Sequence, residues 1–202
     1  MRVNTIRLRV VLGVLAILLP WIVAALNGGF PQSISATYYV PQCITPFMGI
    51  LIAASILLMC YNGYDLQDDL ILTASGAFGL GICLFPTWTN TAEFVGTFNV
   101  PVNISSTLHN VCAIVFFVLL AYNSFFLFTK GDGNPTKNKK IRNIIYRICG
   151  IGMLASFAML LLPSFYIRIW LMETIALFFF GVSFLTKADV FPFLFCDTPY
   201  KD

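Results

Sequence analysis

Charge is what this chain has least of. Only 10% of its 202 residues are Asp, Glu, Lys or Arg, against about 25% in a soluble domain. So few charges cannot cover a globular surface, and the solvent must be one that accepts apolar groups, which is lipid. Histidine is scarcer still, with His109 the only one. A single histidine excludes bis-histidine haem ligation within the chain and a three-histidine zinc site. His109 and Cys112, at i and i+3, offer two metal corners where three or four are needed. No metal and no cofactor is expected. No apolar span holds a lysine, which argues against a retinal Schiff base. The cysteines Cys43, Cys60, Cys83, Cys112, Cys149 and Cys196 form no CxxC, and there is no GxSxG, Walker loop or HExxH. They read as small apolar fillers, with a disulfide among Cys43, Cys83 and Cys112 as the alternative.

What is there is apolar length. Apolar residues make up 58% of the chain, and 20 are phenylalanine. They gather into six spans, about 9–26, 43–61, 70–85, 106–128, 144–162 and 166–185. The fold class is therefore all-α, a polytopic membrane protein with a bundle of six transmembrane helices in one domain. A signal peptide competes for the first span, but its apolar run is long and no small-x-small site precedes it, so a retained helix is expected. Pro20 should kink that helix. Ser75/Gly79 and Ala77/Gly81 are small-xxx-small pairs in the third span, which predicts a central, closely packed helix.

Orientation follows from the basic residues. With the N-terminus inside, all of them except Arg168 fall on the inner side. Both termini are then cytoplasmic and the protein is multi-pass in the cell membrane. No nucleic-acid motif accompanies the basic residues, so nucleic acid is not an expected partner.

Two ionisable residues lie at membrane depth, where an acid costs about 2.5–3.5 kcal/mol on insertion scales. Glu173 is about two turns into the sixth span, and His109 about one turn into the fourth. Both fall at the level of the hydroxyl-rich loop Ser33–Tyr39. If their faces point inward, they line an outward cavity with Ser33, Ser35, Tyr38, Tyr39 and Trp170, and Arg168 stands at its rim. Three readings compete. Glu173 pairs with His109 or Arg168 and pins helices; the cavity binds a ligand; or His109 or Glu173 is a general base. On the inner side, Asp65 and Asp69 face Arg142 and Arg147, which predicts an Asp65–Arg147 or Asp69–Arg142 ion pair. Capture of a phosphate or lipid headgroup by Lys139, Lys140 and Arg142 is the alternative there.

Ser33-Ile-Ser-Ala-Thr-Tyr-Tyr39, Tyr61-Asn-Gly-Tyr-Asp65, Leu84-Phe-Pro-Thr87, Arg142-Asn-x-x-Tyr-Arg147 and Trp170-x-x-Glu173, taken in order, resemble a family of uncharacterised prokaryotic multi-pass membrane proteins. More distantly, Ser33-Ile34-Ser35 after the first helix is similar to the Frag1/DRAM/Cwh43 group of six-helix membrane proteins. That resemblance implies a six-helix fold and a link to lipid or lipid-anchor remodelling. That group carries an Asp soon after its Ile-Ser; here Ala36 stands in its place. The functional expectation is a non-enzymatic membrane protein that binds a lipid or small amphiphile in an outward pocket, with membrane lipids as partners. A lipid-modifying hydrolase or transferase is the alternative, as is a small transporter or channel subunit assembled as a homo-oligomer.

Overall fold

A computed structural model describes residues 5–131, 135–163 and 166–191. Its main elements are six α-helices. Helix α1 (Thr5–Leu26) runs unbroken through Pro20. Helix α2 (Pro41–Met59) opens on Pro41, where a missing N–H leaves nothing unsatisfied. Helix α3 (Leu66–Leu84) starts under the cap of Asp65, whose carboxylate accepts from Asp68 N at 3.1 Å, and stops just before Pro86. A short hairpin follows, β1 (Phe94–Val95) on β2 (Val100–Pro101). Gly96 and Asn99 take positive φ in its turn. Helix α4 (Val102–Tyr122) continues into a π turn over Asn123–Leu127. Helix α5 (Lys137–Ser156) tightens into a 3-10 turn over Phe157–Leu161, and α6 (Arg168–Lys187) completes the set.

Each helix packs on its neighbours in the chain, and α6 returns to pack on α1, so the bundle is a closed ring. Its axis is filled by Leu12, Leu58, Leu72, Leu120, Tyr146, Met153, Phe180 and Phe184, all almost wholly buried. The outside is also apolar. Ile144, Ile148 and Ile151 form one exposed stripe on α5, and Trp21, Ile56, Ile114 and Phe178 stand out elsewhere. A surface this apolar belongs against acyl chains, not water.

Among the described residues, five helices are long and apolar enough to cross a membrane, where six spans are expected from the sequence. The exception is α3. Its first turn carries Gln67, Asp68 and Asp69, so its apolar stretch begins at Leu70. That leaves about 22 Å of apolar helix at 1.5 Å per residue, against a hydrocarbon core of about 30 Å. Helix α5 also begins a full two turns before the expected residue 144. Thr136 Oγ1 caps it by accepting from Lys139 N at 3.2 Å, and lysine and arginine are good helix formers. Charge misplaced the boundary, because the first two turns are helical but polar.

The close packing expected of α3 is present. A Cβ built on Gly76 would meet Ser55 O of α2 at 2.4 Å, and one on Gly81 would meet Cys112 Sγ of α4 at 2.6 Å. Cys43, Cys60, Cys83, Cys112 and Cys149 are free thiols, so the alternative of a disulfide among Cys43, Cys83 and Cys112 does not hold; Cys196 lies outside the described residues. The apolar tail Phe191–Phe195 also lies outside them beyond Phe191.

Candidate functional site

The end of the bundle where α1 ends and α6 begins holds two polar latches. The first is built on Glu173. Residues Gly28–Tyr39 leave α1 and fold back over the first turns of α6, and Trp170 N donates to Gln32 O at 3.0 Å. This brings Ser33-Ile34-Ser35 onto the Glu173 carboxylate. Oε2 accepts from Ile34 N at 2.6 Å, and Oε1 from Ser35 Oγ at 2.9 Å and Ser33 Oγ at 3.2 Å. The loop is shaped for this. Ser33 Oγ also accepts from Ala36 N, and Thr37 Oγ1 donates to Ile34 O, which winds Ser35–Tyr39 into a 3-10 turn. Hydrogen bonds to a charged group are worth about 1.5–3 kcal/mol each, so three of them match or exceed the insertion cost of the acid.

The second latch is built on the chain after α3. Pro86 prevents the helix from continuing, and the carbonyls just beyond its end at Leu84 have no helical partner and need donors. Three consecutive ones find them in side chains. Phe85 O is bonded by His109 Nδ1 at 2.8 Å, Pro86 O by Ser105 Oγ at 2.8 Å, and Thr87 O by Tyr39 Oη at 2.6 Å. A carbonyl only accepts, so His109 carries a hydrogen on Nδ1. Burial and the neighbouring Tyr38 hold the Tyr39 phenol above its ordinary pKa, which keeps it a donor.

The single outward cavity of the sequence reading is thus replaced by two closed contacts. Ser33, Ser35, Trp170 and Glu173 do come together. Tyr39 and His109 belong to the other latch, with Tyr38 edge-on to Tyr39 at 5.1 Å. Glu173 and His109 form no ion pair. Arg168 pairs with neither; it donates to Leu160 O and Leu162 O and caps the end of the preceding helix. Trp170 is buried edge-on to Trp21 at 5.8 Å and against Phe30 at 4.7 Å. Its indole N–H has no hydrogen-bond partner among the described residues. Shallow surface depressions lie at Asn103–Leu108 and at Trp88–Glu93, and neither includes Glu173 or His109.

At the opposite end the expected ion pairs are corrected. Asp65 pairs with Lys130 at 2.8 Å rather than with Arg147, and Lys130 also reaches Asp68 at 2.8 Å. Arg142 pairs with Asp189, not Asp69. Asp69 accepts from Gly63 N at 2.6 Å. The Arg147 guanidinium lies 5.9 Å from the Phe125 ring centre. The physical reason is ring order. Lys130 at the end of α4 stands beside the start of α3, and Asp189 at the end of α6 stands beside the start of α5. No side-chain pattern fixes which neighbour is nearest.

The Lys130 pair makes a pH prediction. The hydrogen bond from Lys130 holds the Asp65 carboxyl below its ordinary value. Burial pulls the Lys130 ammonium down, but its bonds to Asp65 and Asp68 outweigh this and leave it raised. A depressed acid stabilises the fold above its unfolded value, about pH 3.9, and loses that contribution as pH falls through its folded value. A raised lysine contributes below about pH 10.4 and loses it as pH rises through its folded value. The difference in melting midpoint between wild type and Lys130→Met should therefore be flat between those limits and shrink outside both. A difference that grows on acidification would contradict this pairing.

Compared with known proteins, the chain matches no family model, no curated protein and no solved structure.

Proposed function

We propose that the chain is a multi-pass protein of the cell membrane, with six crossings and both ends cytoplasmic, and that it binds a lipid or small amphiphile at Glu173. In this reading the structure is the closed form, with the Ser33–Ser35 loop occupying the headgroup position. The observation that carries it is a carboxylate at membrane depth that forms no ion pair among the described residues. Among the described residues, its hydrogen-bond donors are hydroxyls and backbone amides of a single loop. An ionisable side chain in a span is by default a functional position. The unmet Trp170 N–H, one turn before Glu173, supplies a donor that the loop does not use. A headgroup that offers donors to Glu173 and an acceptor to Trp170 satisfies both, and an ammonium next to a phosphate does so. The likeness to the Frag1/DRAM-like group stands within this proposal and rests on Ser33-Ile34-Ser35. The catalytic alternative has a serine hydroxyl on Glu173, but His109 is committed to Phe85 O in the other latch.

Native mass spectrometry with phosphatidylethanolamine as probe tests the reading. Wild type should keep bound lipid through release from detergent, and Glu173→Gln should keep about tenfold less, the loss expected for one charge-assisted hydrogen bond. Equal retention by the two proteins, or none by either, would overturn it.

A further inference from the structure

The hairpin between α3 and α4 has an unusual composition for a connecting loop. From Leu70 to Thr129 the only Asp, Glu, Lys or Arg is Glu93. The loop is aromatic instead, and it turns its rings outward: Trp88, Phe94 and Phe98 are each more than half exposed. Its backbone is paired within itself. Phe94 and Val95 face Pro101 and Val100, Val102 N donates to Glu93 O at 2.9 Å, and Asn99 N to Gly96 O at 3.2 Å. A backbone that meets its own needs can leave bulk water.

The hairpin is also seated on the end of α3. Gly96 takes positive φ, and a Cβ there would meet Pro86 Cδ at 2.8 Å and Leu84 O at 3.0 Å, so the turn lies against the last residue of the helix. The Phe98 ring centre is 5.9 Å from that of Phe85. Helix α3 is the one that falls short of a bilayer. Its apolar stretch, Leu70–Leu84, leaves about 8 Å of the hydrocarbon thickness uncovered. With Asp68 and Asp69 at the opposite surface, that remainder falls beyond Leu84, where the hairpin sits.

We propose that the hairpin Trp88–Pro101 is immersed in the membrane interface at the Glu173 end of the bundle and completes the crossing that α3 begins. Trp88, Phe94 and Phe98 lie among the glycerol and upper acyl groups of the lipid, the layer that aromatic rings favour. Thr89, Asn90, Thr91 and Glu93 offer polar groups to the headgroups and keep the hairpin from going deeper. The apolar surface is continuous here, because Ile104, Leu108 and Val111 share an exposed face of α4 that begins just after β2. Strands of two residues each are too small for a stable protein partner, which needs roughly 800 Å² a side. The inference rests on the six crossings of the proposed function and is independent of lipid binding at Glu173.

Two single-tryptophan forms of the full chain in phosphatidylcholine vesicles test it. Trp21→Phe with Trp170→Phe keeps Trp88, and Trp88→Phe with Trp170→Phe keeps Trp21, which is exposed on α1. Fluorescence quenching is read with lipid brominated high on the acyl chain, lipid brominated near the chain end, and aqueous iodide. Shallow bromine should quench Trp88 at least about twofold more than deep bromine does, and iodide should quench it at least about twofold less than free tryptophan. Phe94→Ser should lower the shallow quenching of Trp88 by about twofold, and Thr97→Ser, an exposed position without a ring, should leave it unchanged. If the doubly substituted chains do not fold, the difference between wild type and Trp88→Phe gives the Trp88 signal. Full iodide access to Trp88 without bromine quenching overturns the proposal and makes the hairpin a water-facing loop. Shielding from both quenchers overturns it in favour of a protein partner. Trp21 separates the two failures. Bromine quenching of Trp21 but not Trp88 removes the hairpin's immersion alone; none at either removes the crossings on which it rests.

Discussion

Glu173→Ala should destabilise the protein by about 3 kcal/mol, the largest effect expected of any polar substitution in the chain. The substitution strands three donors at once: Ile34 N, Ser33 Oγ and Ser35 Oγ. Each buried donor left unmet costs about 1–3 kcal/mol, reduced where the loop swings out to water. Glu173→Gln keeps one acceptor oxygen and should lose roughly half as much. Unfolding of the detergent-solubilised protein in increasing sodium dodecyl sulfate reads both. A change below about 1 kcal/mol for Glu173→Ala would mean that the loop is held by something else.

Gly76→Ala is the second. Gly76 faces α2, and the added methyl would meet Ser55 O at 2.4 Å, Met59 Cγ at 2.5 Å and Met59 N at 3.2 Å. Met59 Cγ can swing away, but the two backbone atoms cannot, so α2 and α3 must part. Overpacking of this kind costs about 1–3 kcal/mol, and here the upper end is expected because the obstacle is backbone. Gly49→Ala in α2 is the matched control, with nothing within 4 Å of its new methyl. It should be neutral, or stabilising by up to about 1 kcal/mol through helix propensity. The same unfolding assay separates the two, and similar losses for both would remove the case for a close α2–α3 contact.

The helices were legible in the sequence because apolar length is a direct signal. The small residues of α3 were legible for a related reason: a stripe without side chains has few uses other than close approach. The ends were less so. Helix α5 begins inside a lysine-rich stretch that hydropathy assigns to a linker, and only Thr136 as a cap marks its true start.

The candidate site was half legible. Glu173, Ser33, Ser35, Tyr39 and His109 stand out as polar groups among apolar ones, and each does make a specific contact. What the sequence hides is the partner. Ile34 contributes through its amide, and Phe85, Pro86 and Thr87 through their carbonyls, which every residue type carries alike. His109 therefore looked available to Glu173, when a helix ending at Pro86 had already claimed it. Arg9 and Lys187 are inconspicuous in the sequence for the opposite reason. Both fit the general rule for basic residues at the inner end, and only the burial of Arg9 and its bond to the Lys187 backbone oxygen set them apart.

Amide hydrogen exchange at Ile34 probes the closed Glu173 latch most directly. In the membrane-embedded wild type, that single amide should exchange at least about a hundredfold more slowly than an open loop amide, and Glu173→Ala should remove the protection. Rapid exchange at Ile34 in wild type, or protection that survives the loss of the carboxylate, would contradict it.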